Sequence, residues 1–387
     1  MLKATVAIVG GGLSGLYAAH LLESQGIDHV LLEAREGFGG RLQSLPPNAV
    51  FGQAGRSGQA PGNRFDLGAT WYWPDIQPDL DRLVRSLGLS TFPQHEEGAW
   101  MLERSRHEPP HRAPGYASTS PALRIGGGMA SLVEVLRRRL DPSRMLPGHQ
   151  VQSLRREGGR VRVSVLRDGE CVSWQVERVL LALPPRLATH AIRFEPELPR
   201  GLAGSWNRTA TWMAPHAKYV AVYAEPFWRQ DGLAGAARSS VGPMGEIHDA
   251  STVDGDAALF GFIAIPAQAR ANVAQVELIA ACRAQLVRLF GPRAGHPKAD
   301  LIKDWASDPY TATPADRTAD AHHGAAPSAA PADGPWRGHL FGAASEWSPQ
   351  FPGYVAGAID AAIRAVDGLT ASSATSSSQP TLALTKE

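Results

Sequence analysis

The chain has only two cysteines in 387 residues, Cys171 and Cys282, too few for a disulfide framework or a thiolate metal site. Aromatic residues make up 7%, and no apolar run reaches the roughly 18 residues that a membrane-spanning helix needs. An excess of one charge sign is also missing. Lys+Arg 38 against Asp+Glu 37 leaves a formal net charge of +1, with no global attraction for nucleic acid or an anionic membrane. There is no internal repeat. These absences exclude a collagen, a coiled coil, a small secreted scaffold and a membrane channel. Met1-Leu2-Lys3 and the apolar stretch leading to Ala18-Ala19-His20 have the outline of an export signal, but Gly10-Gly11-Gly12 would break its helix, so the expected location is cytoplasmic.

What is abundant is glycine, at 40 residues, with 30 prolines, which points to many tight turns and close backbone approaches to a ligand. Thr5 to Val9 is a short apolar run ending at Gly10 and reads as a buried strand. Leu13 to Leu22 has apolar residues at helical spacing and is closed by Gly26, and Val30-Leu31-Leu32 restarts as a strand. This is a βαβ unit of about thirty residues. Farther along, the pattern predicts helices over 81–89, 129–140 and 276–290, and strands over 218–223 and 259–265. Residues 151–183 alternate in polarity, with a hairpin signal at Glu157-Gly158-Gly159. Residues 104–122 and 312–335 read as loops, and 370–380 as the start of a disordered tail. Strand–helix alternation mixed with strand-rich stretches predicts an α/β fold with an inserted second domain.

Gly10-Gly11-Gly12-Leu13-Ser14-Gly15 fills the pattern G-x-G-x-x-G between the first strand and the first helix. Gly10 permits the turn, Gly12 lets the backbone approach a pyrophosphate, and Gly15 lets helix and strand pack closely. Free N–H groups at the helix start would face the phosphates. Glu33, about twenty residues on, ends the second strand where a carboxylate can accept ribose hydroxyls. The competing reading is a merely structural glycine turn. Glu33-Ala34-Arg35 is followed by Gly39-Gly40-Arg41, which can bring a guanidinium to the same pyrophosphate; a surface arginine behind a glycine loop is the alternative.

Together these blocks resemble the flavin-containing amine oxidases, relatives of monoamine and polyamine oxidases. The resemblance covers residues 1–100 and 123–368. It runs through Val6 to Gly15, Leu31 to Arg41, Phe65-Asp66-Leu67-Gly68-Ala69-Thr70, Leu181-Ala182-Leu183-Pro184-Pro185, Lys218 ahead of Pro226-Phe227-Trp228, Asp304-Trp305, and Phe341 through Ala358. It implies a Rossmann-type FAD-binding domain (1–80, 123–200 and 336–368) interleaved with a smaller α+β substrate-binding domain (81–122 and 201–335), and a disordered tail over 369–387. It further implies that Gly68-Ala69-Thr70-Trp71 runs beside the isoalloxazine and that main chain around Val151 holds the adenine. Glu346 matches an acid beside the cofactor, and the helix opening at Val355 would point its positive end at the flavin N1–C2=O edge.

The same resemblance assigns Lys218 a water near flavin N5 and makes Tyr354 one wall of an aromatic cage around the amine. From the residues alone, Lys218 shares an apolar strand face with Val220 and Val222, or snorkels from an edge strand. The second cage wall is open. Tyr310 is nearby in sequence, the matching position falls near Pro314-Ala315, and Trp71, Tyr72 or Trp73 could substitute, though ordinary core packing is the better reading for those three. No Cys lies near Tyr310, so FAD is expected to be noncovalent. The substrate insert is trimmed to roughly residues 89–122. Glu246, His248 and Asp249 form a polar cluster better read as structural than substrate-facing. His322-His323 makes a poor metal site, and Arg137-Arg138-Arg139 reads as helix-end charge.

The expected activity is FAD-dependent oxidation of a small-molecule amine to an imine, by hydride transfer to flavin N5, with O2 taken up, H2O2 released and the imine hydrolysed. Two alternatives stand beside it: a dehydrogenase or desaturase of the same superfamily acting on C–C bonds, and a flavin-binding protein without turnover.

Overall fold

A computed structural model describes residues 1–46, 64–115, 119–253, 255–318 and 324–376. The chain divides into two compact units, one of residues 1–38, 138–209 and 324–387, the other of 39–137 and 210–323. Segments 39–80 and 123–137, which the sequence reading grouped with the dinucleotide module, thus belong to the second unit.

The first unit is built on a five-stranded parallel sheet in the order Met145–Leu146, His29–Leu32, Val6–Val9, Arg178–Leu181, Leu340–Gly342. Val6, Ala7, Ile8, Leu31 and Leu180 are completely buried, which is why these strands read as continuous apolar runs rather than alternating ones. Leu13–Ser24 is the first crossover helix, and the C-terminal helix Val355–Ser376 packs against it. The expected tail therefore begins as helix, and residues 377–387 lie outside the described part of the chain.

A second sheet of this unit carries the meander Gln150–Glu157, Arg160–Arg167, Glu170–Val176. Its first turn is Gly158-Gly159, both with positive φ as an inward-twisting two-residue hairpin requires; the second, at Asp168-Gly169, repeats that geometry and was not singled out in the sequence. Val161, Val163, Val165 and Val176 close over a core that includes Trp206, Trp336 and Trp347. Trp206 and Trp347 meet edge to face at 5.2 Å. The indole N–H groups of Trp206 and Trp336 donate to the carbonyls of Ser328 and Pro196. These bonds satisfy the buried donors of Trp206 and Trp336, whereas Trp347 Nε1 is buried with no hydrogen-bond partner among the described residues.

The second unit centres on a seven-stranded sheet in the order Ala299–Asp304, Ala217–Tyr223, Ala257–Ile263, Met244–Asp249, Leu233–Ser239, Ala99–Glu103, His111–Ala113. The strand His111–Ala113 lies inside 104–122, so that stretch is not all loop; it pairs antiparallel with Ala99–Glu103. Tyr219, Ala221 and Tyr223 face the helix Gln275–Phe290 through Leu278, Cys282 and Leu286. Val220 and Val222 face the other way, onto Phe65, Leu67 and Phe260. Arg270, 4% exposed, pairs in a two-pronged geometry with Asp304 at 2.9 and 2.8 Å and also donates to the carbonyls of Ile265 and Pro215. This explains the aspartate of the Asp304-Trp305 pair: a buried guanidinium needs a fork-shaped acceptor. The predicted helices occur as Pro78–Ser86, Ala130–Arg139 and Gln275–Phe290, and Arg137-Arg138-Arg139 closes the second of these.

The tightest constraint in the parallel sheet is at Gly15, where an added Cβ would lie 1.9 Å from the Gly10 carbonyl oxygen. Gly15→Ala should destabilise the protein by about 1–3 kcal/mol through forced separation of helix and strand. Denaturant unfolding of the variant measures it; unchanged stability would show that the helix shifts freely.

Candidate functional site

The glycine turn of the first unit has the geometry of an anion cradle. Gly10 sits at φ +108°, and a Cβ there would lie 2.6 Å from the carbonyl oxygen of Ala182. The helix Leu13–Ser24 starts after Gly12 with no side-chain cap and no acidic residue in its first turn. Its leading N–H groups, with the positive end of the dipole behind them, suit a phosphate. Leu13 and Ser14 are both buried in that turn. Glu33 is 4% exposed, and its carboxylate is held by two backbone donors, Gly11 N–H at 2.6 Å and Arg35 N–H at 2.8 Å. Glu33 therefore ties the strand end to the glycine turn, and its remaining acceptor capacity is what a ribose hydroxyl could use. Ala34 and Arg35 follow it, both partly exposed.

Three further expected residues lie in the same unit. Val151 is buried where the meander ladder slips by one residue between Val151 and Ser153, a bulge that leaves backbone groups out of the ladder. Glu346 is buried in the short turn Ser345–Trp347 and accepts from the Ser345 hydroxyl at 3.0 Å. Tyr354 is 39% exposed, directly ahead of Val355 at the start of the C-terminal helix.

The second unit holds the other group. Gly39 and Gly40 adopt φ of +126° and +58°, and the Arg41 guanidinium donates to the Trp212 carbonyl at 3.0 Å. A Cβ on Gly68 would lie 1.8 Å from the carbonyl oxygen of Arg41, so only glycine allows these two segments to touch. The Trp305 indole N–H donates to the Leu67 carbonyl at 3.0 Å. Ala69 is partly exposed beside Thr70, which is 4% exposed.

Lys218 is completely buried. Its strand has neighbours on both sides, so the edge-strand reading is excluded by the sheet order. The Nζ donates to the carbonyls of Asp66 at 2.9 Å and Gly68 at 3.0 Å, and lies 2.6 Å from the Thr70 hydroxyl, above the Phe260 ring at 4.0 Å. Burial pulls its pKa from 10.5 to about 7, against the opposing pull of Asp66. Asp66 is itself buried, which raises its carboxyl pKa, while the Ser44 hydroxyl and the Met129 N–H bind the charged form.

The face of the sheet that carries Lys218 also carries the Glu246–His248 pair. Lys218 and Glu246 both lie opposite Phe262, and His248 lies opposite Phe260. His248 Nε2 is 2.7 Å from the Glu246 carboxylate, and that hydrogen bond keeps Glu246 below its ordinary pKa. Trp71 packs on His248 at 4.8 Å and on Phe260 at 5.4 Å, so of Trp71, Tyr72 and Trp73 it is the one in contact with this aromatic lane. Tyr72 is buried and reaches Asp81 instead. Asp249 points to the opposite face, accepting from Trp228, Arg229 and Ser251. Tyr310 is 37% exposed, and Pro314 and Ala315 form part of a capped turn. His322-His323 lies outside the described residues.

Sequence reading did not single out Asp66, although it stands inside a quoted block, and nothing in the sequence marks Arg124. That arginine is 3% exposed and donates to the carbonyls of Ser251 and Ala250.

Comparison with known proteins assigns this architecture. Residues 97–370 match the model of the flavin containing amine oxidoreductases, and residues 8–87 match an NAD(P)-binding Rossmann-like domain. The chain belongs to the flavin-containing amine oxidoreductase family and is a flavin-dependent amine oxidase. A probable flavin-containing monoamine oxidase A of Dictyostelium discoideum is 23% identical over 405 residues, covering 79% of this chain and 84% of that protein. Among solved structures, cyclohexylamine oxidase from Brevibacterium oxydans IH-35A has the same fold at a TM-score of 0.77 and 19% identity, covering 96% of this chain and 99% of that one. Wild-type putrescine oxidase bound to putrescine gives 0.73 at 21%, covering 97% and 99%.

The buried lysine has a measurable signature. Between pH 7 and 10.5 an unfolded chain keeps the Lys218 proton that the folded chain gives up, so folding stability gains from this group as pH rises across that window. Wild type should therefore gain stability relative to Lys218→Met between pH 7 and pH 10, measured by urea unfolding at each pH. Parallel curves would show an ammonium fully charged when folded.

Proposed function

We propose that the protein binds FAD noncovalently and oxidises a small-molecule amine to an imine, with O2 as the electron acceptor and H2O2 and the hydrolysed imine as products. When bound, the flavin supplies a two-electron acceptor for the amine C–H bond. The observation that supports this reading best is Lys218, an amino group buried on an interior strand of a sheet and bonded to the Asp66–Thr70 segment. Gly10, Gly12 and the uncapped helix start would hold the pyrophosphate. Glu33 would take the ribose, main chain near Val151 the adenine, and Glu346 and the Val355 helix start the flavin edge. The glycine cradle, which any Cβ would fill, fits such a group.

For the substrate, the residues nearest Lys218 define a lane of Phe260, Phe262 and Trp71, whose ring faces tolerate a cationic amine and keep an unprotonated one dry. Tyr354 would be one wall of the amine's aromatic enclosure. Lys218 acts as a positioning residue. As an ammonium it has three N–H donors, and three protein oxygens lie within reach, so a water joins it only in place of the Thr70 hydroxyl. As a neutral amine it offers a lone pair that the Thr70 hydroxyl can fill by donating.

Two measurements test this. The purified protein should be yellow, and acid precipitation should release all its FAD into the supernatant; flavin left in the pellet would refute noncovalent binding. Lys218→Met should retain FAD but slow reoxidation by O2 at least tenfold, about 1.4 kcal/mol, and should abolish the pH dependence of that step near 7, whereas Thr70→Val should shift it. Stopped-flow traces of both half-reactions distinguish this from a structural lysine, for which rates and pH profile stay as in wild type.

A further inference from the structure

On the Lys218 face, the Glu246–His248 pair has no part in the function proposed above. The two residues stand two apart on one strand, so both side chains leave the same side of the sheet. The Glu246 carboxylate is held in its ionised form by this pairing and can only accept, so a neutral His248 carries its proton on Nε2, 2.7 Å away. The imidazole lone pair then stands on Nδ1. That atom has no hydrogen-bond partner among the described residues and, unlike the sealed Nε2 of His29, it keeps open surface; the side chain is 13% exposed.

The neighbours of this ring are the groups placed around the amine above. The imidazole lies 5.3 Å from the centre of the Phe260 ring, over which Lys218 Nζ sits at 4.0 Å. Trp71 meets it edge-on at 4.8 Å and Trp100 at 6.5 Å. Two charged groups face the pair from other strands: Lys218, two strands away, and the exposed Arg238, 3.4 Å from Glu246. An alkylamine arrives at pH 7 as an ammonium, without the lone pair that forms the C=N bond as the α hydride leaves. Burial on this face draws Lys218 itself down to about 7, and an amine entering beside it meets the same desolvation. We propose that His248 is the proton acceptor for the substrate ammonium, with Glu246 as its positioning residue. One ammonium N–H bond breaks and one forms at Nδ1. The lone pair stays with the amine, and the carboxylate holds the imidazolium through Nε2–H. The open edge of the ring then passes the proton to water. This step rests on the amine oxidation proposed above.

The test is anaerobic bleaching of the flavin-loaded protein by benzylamine, or by the fastest of a short alkylamine series, followed by stopped flow. His248→Gln should slow bleaching at least tenfold at pH 7 and approach wild type near pH 10, where more of the amine arrives neutral. Glu246→Gln, at a partly exposed position, should show a smaller loss with the same pH dependence, and it decides the matter if the first variant does not fold. A second readout needs no turnover, because tert-butylamine has no α C–H to give up. Its binding at pH 8 should move the His248 imidazole NMR signal, identified by its change in the variants, toward the imidazolium position. Wild-type rates in the variants at pH 7, a loss equal at every pH, or an imidazole signal unmoved by tert-butylamine would each overturn the proposal. Wild type that none of these amines bleaches would overturn the amine reading, and this step with it.

Discussion

The burial of one amino group constrains much of the second unit. Lys218 stands at full burial in a strand flanked on both sides, and an uncompensated charge there would cost several kcal/mol. The cost is offset only because the Asp66–Thr70 segment turns its carbonyls and a hydroxyl toward Nζ. That segment can do so because Gly68 has no side chain to strike the Arg41 carbonyl. Asp66 then needs its own donors, which Ser44 and Met129 supply. The short Ser44–Leu45 strand, the Phe65–Asp66 strand and the start of the helix Ala130–Arg139 are thus organised around a single nitrogen.

The first unit rests on a different constraint, the approach of a helix to a strand across a glycine. Gly15 over Gly10 sets that distance, and Glu33 locks the turn by accepting from Gly11. The turn is thereby held by the chain's own hydrogen bonds and packing, and a turn held in this way has little further freedom to lose on binding an anion.

Some of this was legible in the residue order. The βαβ unit around Gly10 to Glu33 was plain because its three signals, a buried apolar run, a glycine pattern and a strand-end acid, all lie within one short stretch. Lys218 was recognisable as costly from its neighbours Val220 and Val222, yet sequence could not separate a central strand from an edge strand, because that depends on the Ala257–Ile263 and Ala299–Asp304 strands that pair with it. The strand His111–Ala113 was read as loop for a similar reason: a three-residue element rich in His and Arg has no period of its own and exists through its pairing with Ala99–Glu103. The C-terminal helix ran past the expected start of the tail, since Ala and Ser carry no stop signal of the Gly or Pro kind.

By itself, the sequence determined the family, the dinucleotide turn and the residue types available for chemistry, because each of these resides in local spacing. Tertiary structure alone decided which of those residues share a surface. Glu246 and His248 joined the Lys218 face through the register of Met244–Asp249 against Ala257–Ile263, a shift of one residue in which would have turned them away. Trp71 was selected over Tyr72 and Trp73 by its contact with Phe260, and Arg124 came into view only once its burial left one nitrogen without a partner. Sheet register and burial are properties of distant segments brought together, and no window along the chain contains them.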